Sequence, residues 1–197
     1  MCWSESDGPD YAAARWSLFE PTGLNSSNDY QPDALVVFRY AGIFLGLVNL
    51  FNPFLDHTDP APPGTVNAEL AWSPDGRSWK YVKPGQSFVP RAPGSAAWDC
   101  CGVFGAKQSP EDTPEFAAGG VALPFYYVGC DGRFFSSRAC GLGRASVGRH
   151  MFAGYRGPGA VRVTPVKVQT GELRVTATGG VRVAVAGSPS LTASPCG

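Results

Sequence analysis

The chain has little charge and almost no histidine. Charged residues make up 16% of the 197, and sixteen basic residues balance sixteen acidic ones. Soluble domains usually carry about a quarter of their residues as charges. No basic field exists to attract nucleic acid or anionic lipid, so no nucleic acid partner is expected. The two histidines, His57 and His150, lie far apart in sequence, which leaves no two-histidine spacing for a metal. Neither stands in a Ser or Cys context resembling a nucleophile elbow, which argues against a catalytic triad. Long apolar runs are also missing. The longest, Ala41 to Leu50, contains Gly42, Gly46 and Asn49 and is too short to span a bilayer, so no transmembrane segment is expected. Met1 to Pro9 carries acids and lacks the apolar core of a secretory signal, and it leaves the compartment unassigned.

Uninterrupted helical windows are absent as well. Twenty-five glycines and eighteen prolines interrupt every candidate, so helix content should be very low. Tyr11 to Trp16 has room for one helical turn. What is present is a hydrophobic share of 44% with 12% aromatics, enough for a sizeable core and too much for a disordered chain. Short strands joined by many tight turns account for both facts. The expected class is all-β.

The strands can be placed. Residues 1–32 read as an irregular segment that ends in a loop from Pro21 to Pro32. Ala34 to Tyr40 and Ile43 to Leu50 form an apolar hairpin about Ala41-Gly42, covered on both faces. Val66 to Trp72 and Ser78 to Val82 flank the turn Ser73-Pro74-Asp75-Gly76. A short strand is expected over Trp98 to Ala106, followed by an exposed acidic stretch from Gln108 to Gly120. Val121 to Cys130 and Arg133 to Cys140 read as a hairpin about Asp131-Gly132, with a further strand from Leu142 to Tyr155. Residues 156–197 alternate apolar and polar residues, as in Val161-Arg162-Val163-Thr164 and Val181-Arg182-Val183-Ala184-Val185, and form a small C-terminal sheet.

Six cysteines permit disulfides but do not assign them. Cys130 and Cys140 are placed to face each other across a hairpin. Cys100 and Cys101 are neighbours whose side chains point to opposite faces if they lie on a strand, so they should not pair with each other. The favoured reading is small buried thiols in a reducing compartment.

The order of these motifs resembles a known group. The strand-turn-strand Ala71-Trp72-Ser73-Pro74-Asp75-Gly76-Arg77-Ser78-Trp79 looks like a shortened Asp-box, a hairpin signature of carbohydrate-active β-propellers. Phe88-Val89-Pro90-Arg91, Ala97-Trp98-Asp99, Phe125-Tyr126-Tyr127-Val128-Gly129 and Gly141-Leu142-Gly143-Arg144-Ala145 follow, and the chain closes on strands about Gly171-Glu172-Leu173-Arg174-Val175. Over residues 33–187 this succession resembles the C-terminal part of five-bladed β-propeller glycosidase-like proteins, the invertase, levansucrase and arabinanase-like group. The resemblance implies propeller-like antiparallel blades over residues 33–155 and a trailing β-sandwich or sheet over residues 156–197. About twenty strands complete five blades. The chain offers roughly half, so the propeller is expected to be incomplete. No segment here matches the first-blade carboxylate nucleophile of that group.

Glycoside hydrolysis needs two carboxyl groups, roughly 5 Å apart for retention or 6.5–9.5 Å for inversion. Glu69 falls near the acid region of the group and is read as a general acid or as an outward-facing strand residue. Asp99 follows Trp98 and is read as a second carboxylate or sugar contact, or as a turn residue capping its own backbone. Trp98, Trp72 and Arg91 are the candidate substrate contacts. Asp75 and Asp131, each before a glycine, are read as turn-pinning. Asp56-His57-Thr58-Asp59 reads as a solvated loop more readily than as a metal site. Gly141-Leu142-Gly143 lacks the downstream helix of a dinucleotide site, and hydrolysis needs no cofactor.

The expectation is therefore a glycoside-hydrolase-like protein that acts on or binds carbohydrate, truncated and inactive if the carboxylate pair is missing. The alternative is a non-catalytic structural or assembly subunit, with a protein partner covering its open sheet edges.

Overall fold

A computed structural model describes residues 2–5, 15–18, 23–24, 30–53, 64–94, 96–106, 108, 110–134, 136–162, 175, 177, 182–183 and 191–192. The chain divides into two compact units, Met1–Gly154 and Tyr155–Gly197.

The protein is nearly all β, as its composition requires. In the first unit, β1 (Cys2–Glu5) pairs antiparallel with β2 (Arg15–Leu18). Arg15 and Trp16 are thus in a strand, which corrects the helical turn expected at Tyr11 to Trp16; Tyr11 to Ala14 lie outside the described residues. The main sheet is strongly curled. It contains β3 (Gln31–Tyr40), β4 (Ile43–Phe51), β5 (Val66–Ser73), β8 (Gly102–Gly105), β9 (Ala122–Cys130) and β10 (Cys140–Gly148), with the short β6 (Lys80–Tyr81) and β7 (Ser87–Val89) also paired to β5. Its order is β10-β9-β8-β5-β4-β3. The β5–β8 contact is parallel and the other pairings are antiparallel. The curl fits part of a propeller. The ladder itself is continuous from β10 to β3. In the second unit, β11 (Arg182–Val183) pairs with β12 (Leu191–Thr192). The remaining alternating strands expected there lie mostly outside the described residues.

The β3–β4 hairpin turns at Ala41 (φ 49°) and Gly42 (φ 82°), the left-handed pair that a two-residue hairpin needs. β4 is covered on both faces. Leu45 and Leu47 pack with Phe38, Tyr40, Leu70, Leu123 and Phe125. Val48 and Leu50 pack on the other side with Leu24, Tyr30, Ala71 and Trp79. Alternate side chains of a strand point opposite ways, so the continuous apolar run feeds two clusters at once. Asn49, buried between them, accepts from the Gly105 N–H at 2.9 Å and ties β4 to β8. β3, at the sheet edge, is only half covered.

Four expectations need correction. Trp98 to Cys101 do not extend a strand: Ala97 N–H donates to Gly94 O and Cys100 N–H to Ala97 O, which makes a turn, and only Gly102–Gly105 is extended. The segment after Gln108 is not simply exposed. A 3-10 turn (Pro110–Asp112) and the single-turn helix α1 (Pro114–Ala117) pack back on the sheet, with Gln108 and Pro110 buried and Thr113 capping α1 at Phe116 N. The expected partner of Val121 to Cys130, a strand from Arg133 to Cys140, is not found among the described residues: β9 pairs with β10 (Cys140–Gly148), the strand read from Leu142 to Tyr155 ends at Gly148, and Asp131-Gly132 is not a two-residue turn. Residues 131–134 and 136–139 loop out, Asp131 Oδ1 accepts from Ala139 N–H at 2.8 Å, and Phe134 N–H donates to Gly64 O at 2.8 Å. Finally, Cys130 and Cys140 face each other across the hairpin and are joined in a disulfide, which overturns the reading of reduced thiols for these two.

No described helix is long and apolar enough to cross a membrane.

Candidate functional site

Two glycines in register prepare a shelf on the sheet. Gly129 on β9 is the partner of Gly141 on β10. A Cβ at Gly129 would lie 2.5 Å from the Trp98 ring, and one at Gly141 3.6 Å from it. The indole therefore lies over a strip of bare backbone. Beside it, the ring of Tyr127 lies against its register partner Gly143, where a side chain would collide with it. Trp98 and Tyr127 stack with centroids 5.7 Å apart and planes 27° off parallel. Trp98 remains 45% exposed. An aromatic ring seated on glycine and open to solvent is a flat apolar platform.

Asp99 adjoins the same glycine: a Cβ at Gly129 would lie 2.5 Å from the Asp99 Cβ. It is 7% exposed and its Oδ2 accepts from Tyr127 Oη–H at 3.0 Å. Its Oδ1 is buried without a hydrogen-bond partner among the described residues. Such an oxygen is costly in a folded protein. Burial first, and the bond to Asp99 second, push the Tyr127 phenol above its ordinary pKa of 10. The phenol stays protonated and keeps donating.

Two residues beyond Trp98, the turn enters the wall of a cavity of about 690 Å³. Arg91, Cys100, Cys101, Asp131, Arg133 and Ser136 line it. Arg91 is held in place: Nε donates to Asn67 Oδ1 at 2.9 Å and Nη1 to Cys100 O at 2.8 Å.

Glu69 lies elsewhere. It is on β5, 5% exposed, and accepts from Gly85 N–H at 3.1 Å. It does not face outward, contrary to one of its two sequence readings. Burial raises its carboxyl pKa above the usual 4.5, and the Gly85 hydrogen bond offsets part of that. Tyr81 is raised too, by burial and by the neighbouring charge of Glu69. Neither Glu69 nor Asp99 lines the cavity. Trp72, also on β5, is 36% exposed, opposite Leu45 and Lys80 in the ladders.

Asp75 pins its turn. Oδ1 accepts from Arg77 N–H and Ser78 N–H, each at 2.8 Å, and from Ser73 Oγ–H at 2.9 Å. These bonds, Ser78 first, lower its pKa to about 2. Trp79 Nε1–H closes the hairpin on Gly76 O at 3.0 Å. His57 and its neighbours lie outside the described residues. Among the described residues, no three His, Cys, Asp or Glu side chains gather as a metal site.

Sequence reasoning named Trp98, Asp99 and Arg91 as candidates but not the glycines beneath Trp98. The signal was there: alternate glycines at 141 and 143 facing Tyr127 and Gly129 leave one face of a hairpin bare.

No protein-family model matches the chain, and no curated protein matches it. Among solved structures it is similar to BT0996 in a structure described as an RGII complex, at 15% identity and a TM-score of 0.43, covering 65% of this protein and 36% of that one. The protein thus spans about a third of the length of the solved structure it matches.

Proposed function

We propose that the protein binds carbohydrate, with the exposed face of Trp98 as the platform for a sugar ring. The observation that carries this reading is the seating of Trp98 on Gly129 with 45% of the residue left exposed. A pyranose presents a flat C–H face that packs on such a ring, and its hydroxyls need polar partners nearby. The cavity wall that begins at Cys100 supplies Arg91, Asp131, Arg133 and Ser136. A net charge of zero suits a neutral ligand. Asp99 holds Tyr127 beside the platform through the phenol and does not contact the sugar. The test is a titration of the full chain with a panel of neutral oligosaccharides by calorimetry, with Trp98→Ala beside it. Binding that Trp98→Ala weakens at least tenfold supports the reading; binding that survives Trp98→Ala unchanged rejects it.

A second reading, glycoside hydrolysis on an incomplete propeller, is favoured by the burial that holds the Glu69 carboxyl toward its protonated form, as a general acid requires. In it Glu69 is the acid, Asp99 the second carboxylate, and Trp72 a further sugar contact. Hydrolysis of aryl glycosides that Glu69→Gln abolishes, with the fold intact, would favour this reading over simple binding.

A further inference from the structure

Cys100 and Cys101 are adjacent in sequence, and their sulfurs lie 2.8 Å apart. On a strand they would point to opposite faces. They do not, because the chain turns here: Cys100 N–H donates to Ala97 O and Cys101 N–H to Cys130 O. Both side chains are thiols. A disulfide bond is ~2.05 Å long, so closing the pair takes a movement of less than about 1 Å. Both residues line the cavity, so the pair is reachable from solvent.

We propose that Cys100 and Cys101 form a reversible vicinal disulfide in the cavity wall, a modification site for small disulfides of the glutathione class. The chemistry balances in two exchange steps. The Cys101 thiolate attacks one sulfur of the small disulfide, forming a mixed disulfide and releasing one thiolate. Cys100 then loses its proton to solvent and attacks the Cys101 sulfur. The ring closes and the second small thiolate leaves. The protein loses two electrons and two protons, and one small disulfide becomes two small thiols.

The order of attack follows from the surroundings. Cys101 is the more exposed of the two. Cys100 is buried, and its thiol faces Asp131 O at 3.4 Å. The hydrogen bond with Cys101 first, and burial second, push the Cys100 thiol up to about 11. It is the slower nucleophile and acts second, once the mixed disulfide is held beside it. The charged side chains on the cavity wall are Arg91, Arg133 and Asp131, a balance that favours an anionic small disulfide. Adjacent Cα atoms are ~3.8 Å apart across a trans peptide, closer than the ~4.4–6.8 Å that disulfides usually span. The closed ring is therefore strained, which keeps it reducible.

The test is to incubate the reduced full chain with oxidised glutathione and read intact mass and peptide maps. The expected result is loss of two hydrogens from the peptide carrying Cys100 and Cys101, no lasting glutathione adduct there, and reversal by dithiothreitol. Cys100→Ser should trap one glutathione on Cys101. Should that variant fail to fold, phenylarsine oxide on the wild-type chain gives an independent reading, because trivalent arsenic bridges two neighbouring thiols and should block ring closure. A stable glutathione adduct on wild-type Cys101 would overturn the proposal. So would ring closure that phenylarsine oxide leaves untouched, or a new disulfide running from Cys100 or Cys101 to Cys2 or Cys196.

Discussion

Trp98 sits on Gly129 so closely that a single added methyl at Gly129 would come within 2.5 Å of its ring. The same methyl would lie 2.5 Å from the Asp99 Cβ, so Gly129→Ala must shift the Trp98–Asp99 turn or bend β9. A cost of about 1–3 kcal/mol is expected, together with a change in near-ultraviolet dichroism as the Trp98–Tyr127 stack shifts. Gly141→Ala is the control, since its added methyl would make an ordinary 3.6 Å contact. It should leave the spectrum unchanged. Equal effects of the two substitutions would mean that Trp98 is not seated as described.

The Asp75 turn makes stability depend on acid. Its pKa of about 2 lies below the ordinary 3.8. A carboxyl lowered by folding contributes stability above its unfolded value, and that stability is lost as pH falls through the folded one. Asp75→Ala should lower the thermal midpoint at pH 7, and the gap from wild type should narrow between pH 4 and pH 2. A gap constant across that range would contradict the ionised-carboxylate account.

Glu69 has the opposite sign. Its folded pKa is raised, so the folded state prefers the protonated form. The stability tied to it is present below the unfolded value of about 4.5 and is lost as pH rises through the folded value. Glu69→Gln, which still accepts from Gly85 N–H, should raise the thermal midpoint at pH 7 and make no difference at pH 3. Destabilisation at pH 7 would show that the charge is needed.

Replacing both Cys130 and Cys140 by serine opens a short loop. Loss of about 2–4 kcal/mol is expected by urea unfolding. Under dithiothreitol, wild type and variant should converge. If they differ equally with and without reductant, the bridge contributes nothing.

Much of the fold was legible because local chemistry and burial agree. The Ala41-Gly42 turn and the run from Leu45 to Leu50 carry their own signal and form as read; the Ser73–Gly76 turn forms too, though the strand after it is only Lys80–Tyr81 and not Ser78 to Val82. Trp98 to Cys101 misled because a tryptophan and two cysteines leading into Val103-Phe104 look like a strand, while the bonds that make the turn, Ala97 N–H to Gly94 O and Cys100 N–H to Ala97 O, leave no pattern in the sequence. Asp131-Gly132 misled because a local turn signal lost to longer-range ties, Phe134 to Gly64 and Cys130 to Cys140. For the site, Trp98 and Asp99 were visible as residue types. Their arrangement was not, since it depends on Gly129 meeting Gly141 across a hairpin whose register only the folded sheet fixes.

Whether Trp98 is a sugar platform is decided by a calorimetric titration of wild type and Trp98→Ala with neutral oligosaccharides, alongside a thermal melt of both. Measurable binding to the wild type is expected, with at least about tenfold weaker binding to the variant, a loss of ~1.4 kcal/mol or more, and both chains folded. Unchanged affinity in a folded Trp98→Ala protein would contradict the sugar-platform reading.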